Sequence, residues 1–406
     1  MIPESLAGRR IAITGSTGFL GTALVERLLR SAPSCELVLI VRPGRRGADR
    51  RVERDILRND AFDSLRDALG ADGFAEMTAR RVTALAGDVT VDGLGLDDDG
   101  RAVLATCDVV IHSAAAVSFD SPLDQAVEVN LLGPVRVVET LSELGVAPHV
   151  VTVSTCYVAG SRRGAAPEEP VDASPFFVDV DWRTEVDAAR RIRRETETAS
   201  RTPESLADFR SKAHGELGAA GTPNLAAKTE QLRSRWVDDR MAESGVARAS
   251  SLGFPDAYAY TKALGEIATA ESRGDVPVSV VRPAIIESAF AEPSPGWIRG
   301  FRMAEPVIIS YARGLLKEFP GVPEGTIDVI PVDFVVAAIC AVAARGPLAA
   351  DDGPDIVQVA SGSVNPLRYG TLVDQVREWF TEHPIYDDMG QPIPVPEWSF
   401  PGRGRV

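Results

Sequence analysis

Tyr258 and Lys262 lie four residues apart in the segment YAYTKALGE, a spacing that suits acid–base chemistry. On a helix, residues i and i+4 share one face, so the phenol and the ammonium can point into one site. An isolated tyrosine has a pKa of about 10 and transfers protons poorly at neutral pH. A nearby ammonium favours the phenolate, so we expect Lys262 to lower the pKa of Tyr258. The pair predicts a proton-transfer site.

A hydroxyl at the end of a predicted strand is the second candidate group. The segment VTVSTCYVAG ends its strand with Ser154 and Thr155. The Thr155 hydroxyl would hydrogen-bond a substrate oxygen on which negative charge develops during hydride transfer. Taken alone, the Y-x-x-x-K pattern is a frequent chance match whose ordinary explanation is an exposed pair on a helix.

A glycine-rich segment, ITGSTGFLG, has the spacing G-x-x-G-x-x-G rather than the G-x-G-x-x-G of most dinucleotide-binding dehydrogenases. It follows a predicted strand and opens a predicted helix, which is the context that a phosphate-binding loop requires. Gly15 permits the tight turn, Gly18 lets the backbone approach a pyrophosphate, and Gly21 lets the helix pack on the strand. The phosphates would lie at the positive helix N-terminus. We therefore predict cofactor contacts from Gly15, Ser16, Thr17, Gly18, Phe19 and Leu20.

The end of the next predicted strand, ELVLIV, indicates which dinucleotide is bound. NAD-specific proteins place an Asp or Glu about 20 residues after the loop, where it receives the ribose hydroxyls. Here the strand is followed by Arg42, Arg45 and Arg46, with no acidic residue at its end. A guanidinium suits a 2′-phosphate, so Arg42 predicts NADPH. The alternative is that Arg42 is an exposed strand-end charge.

Two further strand ends complete the predicted cofactor site. The segment GDV closes the third strand, and Asp88, followed by Val89, is expected to hydrogen-bond the adenine edge. The segment HSAAAV closes the fourth strand with His112, which we interpret as a packing residue rather than an acid or base. The small residues after it would let the cofactor pass close to the backbone, and they are Ser113, Ala114 and Ala115.

Apolar runs of strand length that alternate with helical patterns must position these groups. The predicted strands are Arg10–Thr14, Glu36–Val41, Arg81–Ala86, Asp108–His112, Val150–Ser154, Val278–Arg282 and Ile356–Ala360. Near-continuous Val and Ile runs are what parallel strands covered on both faces require. The alternation predicts an α/β fold with a doubly wound parallel sheet of the Rossmann type and a smaller, mainly helical substrate-binding region.

The stretch 161–255 differs in character from the rest, because it is charged, helix-prone and without strand-like runs. Trp182, Val186, Ala189 and Ile192 fall at helical spacing with four arginines around them, namely Arg190, Arg191, Arg193 and Arg194. This pattern fits either an amphipathic surface helix with a solvated basic face or a lid whose arginines meet a polyanionic ligand. We expect a cofactor-binding core at 1–160, this insert at 161–255, the catalytic helix and sixth strand at 256–290, and the substrate-binding region with the seventh strand at 291–406.

Composition excludes several classes of protein. A formal charge of −15 over 406 residues argues against a nucleic-acid partner. The four cysteines (Cys35, Cys107, Cys156 and Cys340) lack metal-site or disulfide spacing, so we expect no metal and reduced thiols in a cytoplasmic protein. The N-terminal segment has no apolar signal core, and the run Phe334–Ala344 is too short to span a bilayer. Peripheral membrane contact and the oligomeric state are left open.

In its glycine spacing, strand-end hydroxyl and Y-x-x-x-K pair, the chain resembles the extended short-chain dehydrogenase/reductase superfamily. The resemblance makes Thr155 a better match than Ser154 to the catalytic hydroxyl, with Tyr258 and Lys262 completing the set. Lys262 would also hold the nicotinamide ribose, and the positive nicotinamide would add to the expected lowering of the pKa of Tyr258. Asn130, in VEVNLLGPVRVVE, matches the structural and proton-relay asparagine of that superfamily.

A narrower resemblance, to the fatty acyl-CoA reductases of the NAD-binding "male sterility" type, covers nearly the whole chain. It rests on ITGSTGFLG, LIVRP, VSTCYVAG, YAYTKALGE, VRPAIIESAFAEPSPGWIRGFRMAEPVI and VASGSVNP. It implies NADPH-dependent reduction of a long-chain acyl-CoA thioester to an aldehyde, and a second reduction to the primary alcohol. Tyr258 and Thr155 would stabilise the oxyanion, and further cofactor contacts would come from Pro283, Ala284 and Ile285.

The region from Glu292 to Ile309 would form part of an acyl tunnel through Trp297, Phe301 and Met303, although such residues are as readily explained as core. Many members of the family continue with a further helical domain, whereas this chain ends soon after the seventh predicted strand. A short protein and a missing domain both fit that difference.

Three other functions fit the sequence. The first is a reductase of thioesters bound to a carrier protein that releases the aldehyde, its basic insert meeting an acidic carrier. The second is a sugar or sterol dehydrogenase or epimerase of the same superfamily, which the insert and the PGWIRG segment disfavour. The third is a non-catalytic NADP-binding protein, against which the set of Thr155, Tyr258 and Lys262 argues.

Overall fold

The computed structural model describes residues 2–218, 224–300, 304–318, 321–348 and 353–400. The chain forms two compact units, and each is described by itself. The first comprises Met1–Arg282 and Val336–Gln358, and the second comprises Pro283–Val335 and Val359–Val406. The predicted segment boundaries are not tested by this division and stay predictions.

The strands are β1 (Arg10–Thr14), β2 (Glu36–Val41), β3 (Val82–Ala86), β4 (Val109–His112), β5 (His149–Val153), β6 (Val278–Pro283), β7 (Ile285–Glu287), β8 (Thr326–Ile327), β9 (Val329–Pro331), β10 (Asp355–Val359) and β11 (Leu367–Arg368). The α-helices are α1 (Ile2–Ser5), α2 (Phe19–Ser31), α3 (Gly47–Val52), α4 (Asp63–Arg81), α5 (Asp98–Leu104), α6 (Leu123–Ala126), α7 (Leu132–Glu143), α8 (Trp182–Ser200), α9 (Pro203–Leu217), α10 (Leu225–Ser251), α11 (Ala257–Ser272), α12 (Glu305–Ala312), α13 (Val332–Arg345) and α14 (Tyr369–Glu382). Two π-helical turns cover Glu53–Leu57 and Val127–Leu131.

Seven strands within the described ranges form one sheet in the order β10-β6-β5-β4-β1-β2-β3. Every neighbouring pair from β3 to β6 is parallel, which confirms the predicted doubly wound α/β fold. The strand order reverses between β1 and β4, and ligands of such sheets bind at the carboxyl ends of the strands at this point. The sheet therefore brings the predicted cofactor residues to one edge.

The predicted strands match the observed ones to within one residue at either end. β5, for example, ends at Val153 rather than at Ser154. The Ser154 N–H still donates to the Val281 carbonyl at 2.8 Å, but the chain then turns, and the Thr155 side chain caps a 3₁₀ turn by accepting the Tyr157 N–H. A side chain that caps the next turn ends the strand one residue early.

The insert is helical and packs into the first unit. On α8, Trp182, Val186 and Ala189 are buried, as their spacing predicts, in a cluster that includes Val237 of α10. Two arginines of the same helix form ion pairs with acidic residues of this chain. Arg190 donates to Glu128 at 2.7 Å, and Arg193 to Asp238 at 2.9 Å. These ion pairs favour the surface-helix interpretation over the polyanion lid.

The second unit holds two small sheets, in which β7 pairs parallel with β9 and β8 pairs antiparallel with β11. Trp297 is 6% exposed and belongs to its interior, whereas Phe301 and Met303 lie outside the described residues. In the described part of the chain, no helix combines the length and the apolarity needed to cross a bilayer.

Candidate active site

The glycine loop between β1 and α2 is too crowded for side chains at two of its three glycines. A Cβ on Gly15 would lie 2.5 Å from the Ala114 nitrogen, and Gly15 has a φ of +75°, which favours glycine. A Cβ on Gly21 would lie 2.2 Å from the Gly15 carbonyl oxygen, because α2 packs directly on the loop. At Gly18 the nearest atom is 3.3 Å away. The crowding is thus greatest at Gly21 and Gly15, as expected for a helix-packing contact and a tight turn, and smaller at Gly18.

The start of α2 has the features of an anion site. Gly18 is its N-cap and makes no side-chain hydrogen bond to the first turn. The helix N-terminus therefore presents backbone N–H groups to a ligand. Ser16 in the loop is fully buried, and its hydroxyl has no hydrogen-bond partner among the described residues. A buried hydroxyl without a partner costs free energy unless a ligand satisfies it, so the loop fits a pyrophosphate.

Arg42, which follows β2, is exposed, and its carbonyl oxygen accepts a hydrogen bond from Arg51 at 2.6 Å. Next to it, a cavity of ≈ 740 Å³ is lined by Arg45 and Arg46 together with arginines that the sequence analysis did not single out, namely Arg50, Arg51, Arg54 and Arg58. Arg50 and Arg51 lie on α3, Arg54 lies on the π-helical turn after it, and Arg58 follows that turn. All four form ion pairs with Glu53 or Asp55. Their spacing is that of an ordinary charged helix, so no sequence signal distinguished them.

The ends of β3 and β4 lie along the same edge. One Asp88 carboxylate oxygen accepts both the N–H and the hydroxyl of Thr90, at 2.9 and 2.8 Å, so its own loop orients this side chain. Val89, predicted beside it, is half-buried. The Ser113 hydroxyl donates to the Thr14 carbonyl at 2.7 Å, and the small side chains of Ala114 and Ala115 after it are half-buried.

Tyr258 and Thr155 meet at the end of β5. The Tyr258 side chain is hydrogen-bonded to that of Thr155, which also accepts the Tyr157 N–H at 3.2 Å. Burial raises the pKa of Tyr258 to about 12, and the Thr155 hydrogen bond only partly offsets this. The nearby Asp256 carboxylate raises the pKa of Tyr258 further, so the protein's own groups do not give the lowering expected from Lys262. The part of that lowering expected from a positive nicotinamide stays a prediction. A phenol with this pKa is protonated at neutral pH and can donate a hydrogen bond.

Lys262 is 4% exposed, and its Nζ donates to the Val153 carbonyl oxygen at 2.8 Å. Burial lowers the pKa of Lys262 to about 8, while the nearby Glu266 carboxylate raises it. Glu266 is itself paired with Arg282 at 2.5 Å, and both side chains are buried. The Lys262 side chain is thus held at the end of β5, next to Ser154, and with this pKa it stays mostly protonated at neutral pH.

Asn130 lies on the π-helical turn Val127–Leu131, and its side-chain amide is used entirely within the protein. Its oxygen accepts the Ala116 N–H at 2.8 Å, and its nitrogen donates to the Ala116 carbonyl and to the Thr261 hydroxyl, at 3.0 and 3.2 Å. It thereby ties the segment after β4 to the helix that carries Tyr258. Its place supports the structural part of the predicted role.

His112 is fully buried, and its Nδ1 hydrogen-bonds the Thr14 hydroxyl at 2.9 Å. Burial lowers the pKa of His112 to about 3, so the ring is neutral and packs in the interior as predicted.

Of the four cysteines, only Cys156 is not buried, and its thiol donates to the Arg282 carbonyl at 3.1 Å.

Phe119 is a site residue that sequence reasoning missed. Its ring meets that of Tyr258 edge to face, with centroids 6.2 Å apart. It lies in the loop after β4, where a single phenylalanine carries no periodic signal.

The remaining predicted cofactor contacts fall where the sixth strand ends and the second unit begins. Pro283 is the last residue of β6, the Ala284 N–H donates to the Val359 carbonyl at 2.9 Å, and Ile285 opens β7. Their predicted contacts with a cofactor stay predictions.

Comparison with known proteins gives three findings. A family model described as "Male sterility protein" matches residues 13–339. The chain is 32% identical to fatty acyl-CoA reductase 2, chloroplastic, of Arabidopsis thaliana, over 96% of this chain and 60% of that protein. It is 29% identical to the alcohol-forming fatty acyl-CoA reductase of Simmondsia chinensis, over 97% of this chain and 75% of that protein. It thus spans less than two thirds of the first relative and three quarters of the second.

Among solved structures, the chain is similar to the terminal R domain from the myxalamid PKS-NRPS biosynthetic pathway. The TM-score is 0.57 at 16% sequence identity, over 93% of this chain and 74% of that one. At this identity the similarity concerns the fold.

Proposed function

The chain belongs to the male sterility family of fatty acyl-CoA reductases, and we propose that it is an oxidoreductase that reduces a long-chain fatty acyl-CoA thioester with NADPH. We further propose that the aldehyde first formed is reduced at the same site to the primary alcohol. The names of its relatives support the substrate class, and one of them is described as alcohol-forming. The observation that carries the proposal is the hydrogen-bonded pair of Tyr258 and Thr155 with the buried Lys262 beside it.

NADPH, when bound, supplies the hydride that reduces the acyl carbon. The residues that would hold it are those of the glycine loop and the α2 N-terminus for the pyrophosphate, and Lys262 for the nicotinamide ribose. The Ser16 hydroxyl, which has no partner among the described residues, and the tight turn that Gly15 permits support this fit. Arg42 and the arginine-lined cavity beside it support NADPH rather than NADH, since guanidinium groups suit a 2′-phosphate.

Tyr258 and Thr155 would act on the carbonyl oxygen of the thioester. As the carbon is reduced, negative charge develops on that oxygen, and hydrogen bonds from preorganised hydroxyls stabilise it. The raised pKa of Tyr258, about 12, keeps its proton in place until the oxygen is basic enough to take it. The resulting hemithioacetal loses its thiol to give the aldehyde. After Tyr258 regains a proton from solvent, reduction of the aldehyde carbon and a second proton from Tyr258 give the alcohol.

The test is to follow NADPH oxidation by the purified full chain with a long-chain acyl-CoA and to quantify released CoA, aldehyde and alcohol. We expect two NADPH consumed for each CoA released, with alcohol as the product. A parallel reaction supplies the same acyl group on a carrier protein. The free fatty acid, which lacks the thiol leaving group, is the matched control and should not react.

One NADPH per thiol released, with aldehyde as the end product, would contradict the second reduction but not the first. Turnover of the carrier-bound thioester alone would overturn acyl-CoA as the substrate. NADPH binding without turnover of any thioester would overturn the proposed activity and favour a non-catalytic protein.

A further inference from the structure

Helix α8 of the insert shares a buried apolar cluster with the catalytic helix α11 and makes side-chain hydrogen bonds to it at two places. Near the start of α11, the Tyr260 hydroxyl donates to the Glu185 carboxylate at 2.5 Å. Near its end, the Glu271 carboxylate accepts hydrogen bonds from Trp182 Nε1 and Arg183, at 2.9 and 3.0 Å. Only the first of these contacts lies beside the residues of the proposed reaction.

Tyr260 lies between Tyr258 and Lys262 on α11 but faces away from them. Two residues along an α-helix rotate the side chain by about 200°, so Tyr260 projects from the opposite side of the same turn. It is 1% exposed and packs against Phe254, with ring centroids 6.0 Å apart. Its hydroxyl is buried, and burial together with Glu185 raises its pKa, so it stays protonated and donates.

Glu185 is fixed from a second side by Arg248 of α10. The guanidinium donates to both carboxylate oxygens, through Nε at 2.9 Å and Nη2 at 2.5 Å. Burial alone would raise the pKa of Glu185, but the hydrogen bonds from Arg248 and Tyr260 outweigh it and lower the pKa. A charged carboxylate with a bidentate partner is a rigid acceptor. Glu185 therefore connects two insert helices to the first turns of α11.

We propose that Glu185 is a positioning residue for the reaction. By holding Tyr260, it keeps Tyr258 and Lys262 in place against the end of β5. The insert is then part of the frame of the active site rather than a peripheral addition. The inference rests on the proposed function for its kinetic consequence only.

The reason to expect a kinetic effect is geometric. The Tyr258 hydroxyl must reach both Thr155 and the substrate oxygen, and a misplacement on the order of 1 Å can cost up to roughly 100-fold in rate. The start of α11 is also held by its N-cap, where the Asp256 carboxylate accepts the Ala259 N–H at 2.8 Å. The hydrogen bonds of Tyr258 with Thr155 and of Thr261 with Asn130 fix it as well. The contact between Tyr260 and Glu185 adds the anchor from the insert, and loss of the Tyr260 hydroxyl removes that anchor.

The experiment compares Tyr260→Phe, Glu185→Gln and the double variant in the full-length protein. For each single variant we expect kcat to fall about ten-fold while the Kd for NADPH changes less than about three-fold. The double variant should be no slower than the slower single variant, because both changes break the same hydrogen bond between Tyr260 and Glu185. Hydrogen exchange of the amides in residues 257–262, measured without acyl substrate, should become faster in all three variants.

Glu271→Gln is the matched control, since it weakens the other contact between α8 and α11. It should leave kcat unchanged and speed exchange only near residue 271. If Tyr260→Phe keeps both the wild-type kcat and the wild-type exchange, the inference is wrong. An equal fall in kcat for Glu271→Gln would also overturn it, because the effect would then come from general loosening of the insert. If the wild-type protein reduces no thioester, the proposed function fails, and exchange in residues 257–262 still decides whether Glu185 holds the helix.

Discussion

The proposed chemistry depends on Tyr258, Thr155 and Lys262. The surroundings of each side chain set its protonation state or its orientation. Burial keeps the phenol protonated, with a pKa of about 12, and brings the ammonium to a pKa of about 8. Thr155 accepts from the backbone at Tyr157 and is hydrogen-bonded to Tyr258, so its hydroxyl is oriented before a substrate arrives. Such preorganisation is what stabilises a developing oxyanion at low cost.

Tyr258→Phe removes the proposed proton donor and keeps the ring that packs against Phe119. We expect kcat to fall by roughly 10²- to 10⁴-fold, the usual contribution of a general acid, with the Kd for NADPH within a few-fold of wild type. Steady-state kinetics and NADPH fluorescence titration measure the two quantities. Tyr386→Phe, at an exposed tyrosine, is the control and should be silent. Normal turnover by Tyr258→Phe would refute the mechanism.

Arg42→Ala tests the cofactor preference at the end of β2. A hydrogen bond to a charged group contributes about 1.5–3 kcal/mol, so loss of a 2′-phosphate contact should weaken NADPH binding by roughly 10- to 100-fold. NADH, which lacks that phosphate, should be little affected. Binding of both cofactors is measured for this variant and for Arg9→Ala, a change at an exposed arginine outside the predicted site. Equal losses of affinity for NADPH and NADH in Arg42→Ala would show that Arg42 does not contact the 2′-phosphate.

At the scale of elements, two short helical starts at one edge of the sheet carry the site. The α2 N-terminus follows the glycine loop, and α11 is capped by Asp256, with Tyr258 as the second residue of the helix. Close backbone packing holds both helices. In α2, a Cβ on Gly21 would lie 2.2 Å from the Gly15 carbonyl oxygen, and in α11 a Cβ on Gly265 would lie 2.4 Å from the Asn130 carbonyl oxygen. Close backbone contact is what keeps such short segments rigid.

Gly21→Ala should separate α2 from the glycine loop, because the new Cβ would meet the Gly15 carbonyl oxygen at 2.2 Å. We expect the free energy of unfolding to fall by about 1–3 kcal/mol, as for other overpacked sites, together with a loss of NADPH affinity. Urea denaturation and cofactor titration measure both effects. The control is Gly73→Ala on α4, where the nearest atom is an ordinary 3.5 Å away. That change should be neutral or stabilising by up to about 1 kcal/mol, and similar behaviour of the two variants would contradict the crowding argument.

At the scale of the whole molecule, two buried histidines couple folding to pH. Burial lowers the pKa of His112 to about 3 and, with a smaller effect of Arg345, that of His149 to about 4, from an ordinary value of 6.5. As the pH falls below about 6.5, the unfolded chain binds protons that the folded protein does not, so folding loses free energy. The loss for each histidine continues until the pH reaches its folded-state pKa.

We therefore expect the free energy of unfolding to decrease between about pH 7 and pH 5, by on the order of 1–2 kcal/mol for each histidine. Urea denaturation across this range measures the slope. His149→Asn removes one titrating ring, which hydrogen-bonds Ser279 at 2.9 Å. Whatever its absolute stability, this variant should show a flatter slope than wild type. An unchanged slope would mean that His149 does not contribute.

Much of the fold could be read from the sequence because its signals are local. The buried runs at Arg10–Thr14 and Glu36–Val41 are strands with the predicted bounds, and the glycine spacing is followed by a helix as expected. The helical face that begins at Trp182 is buried as its period predicts. The hydrophobic pattern that marks a strand or a helix depends on a few neighbouring residues. It therefore predicts the same element whichever segments later pack against it.

By itself, the sequence determined the α/β class, the glycine loop and the shared face of Tyr258 and Lys262, since each depends on residues within one or two turns of chain. Only the tertiary structure decided the protonation of that pair and what holds it. The pKa of Tyr258 depends on burial by elements distant in sequence, Lys262 donates to Val153, 109 residues away, and Glu185 meets Tyr260 across 75 residues. Burial and charge pairing depend on which segments the fold brings together, and no local pattern encodes those distances.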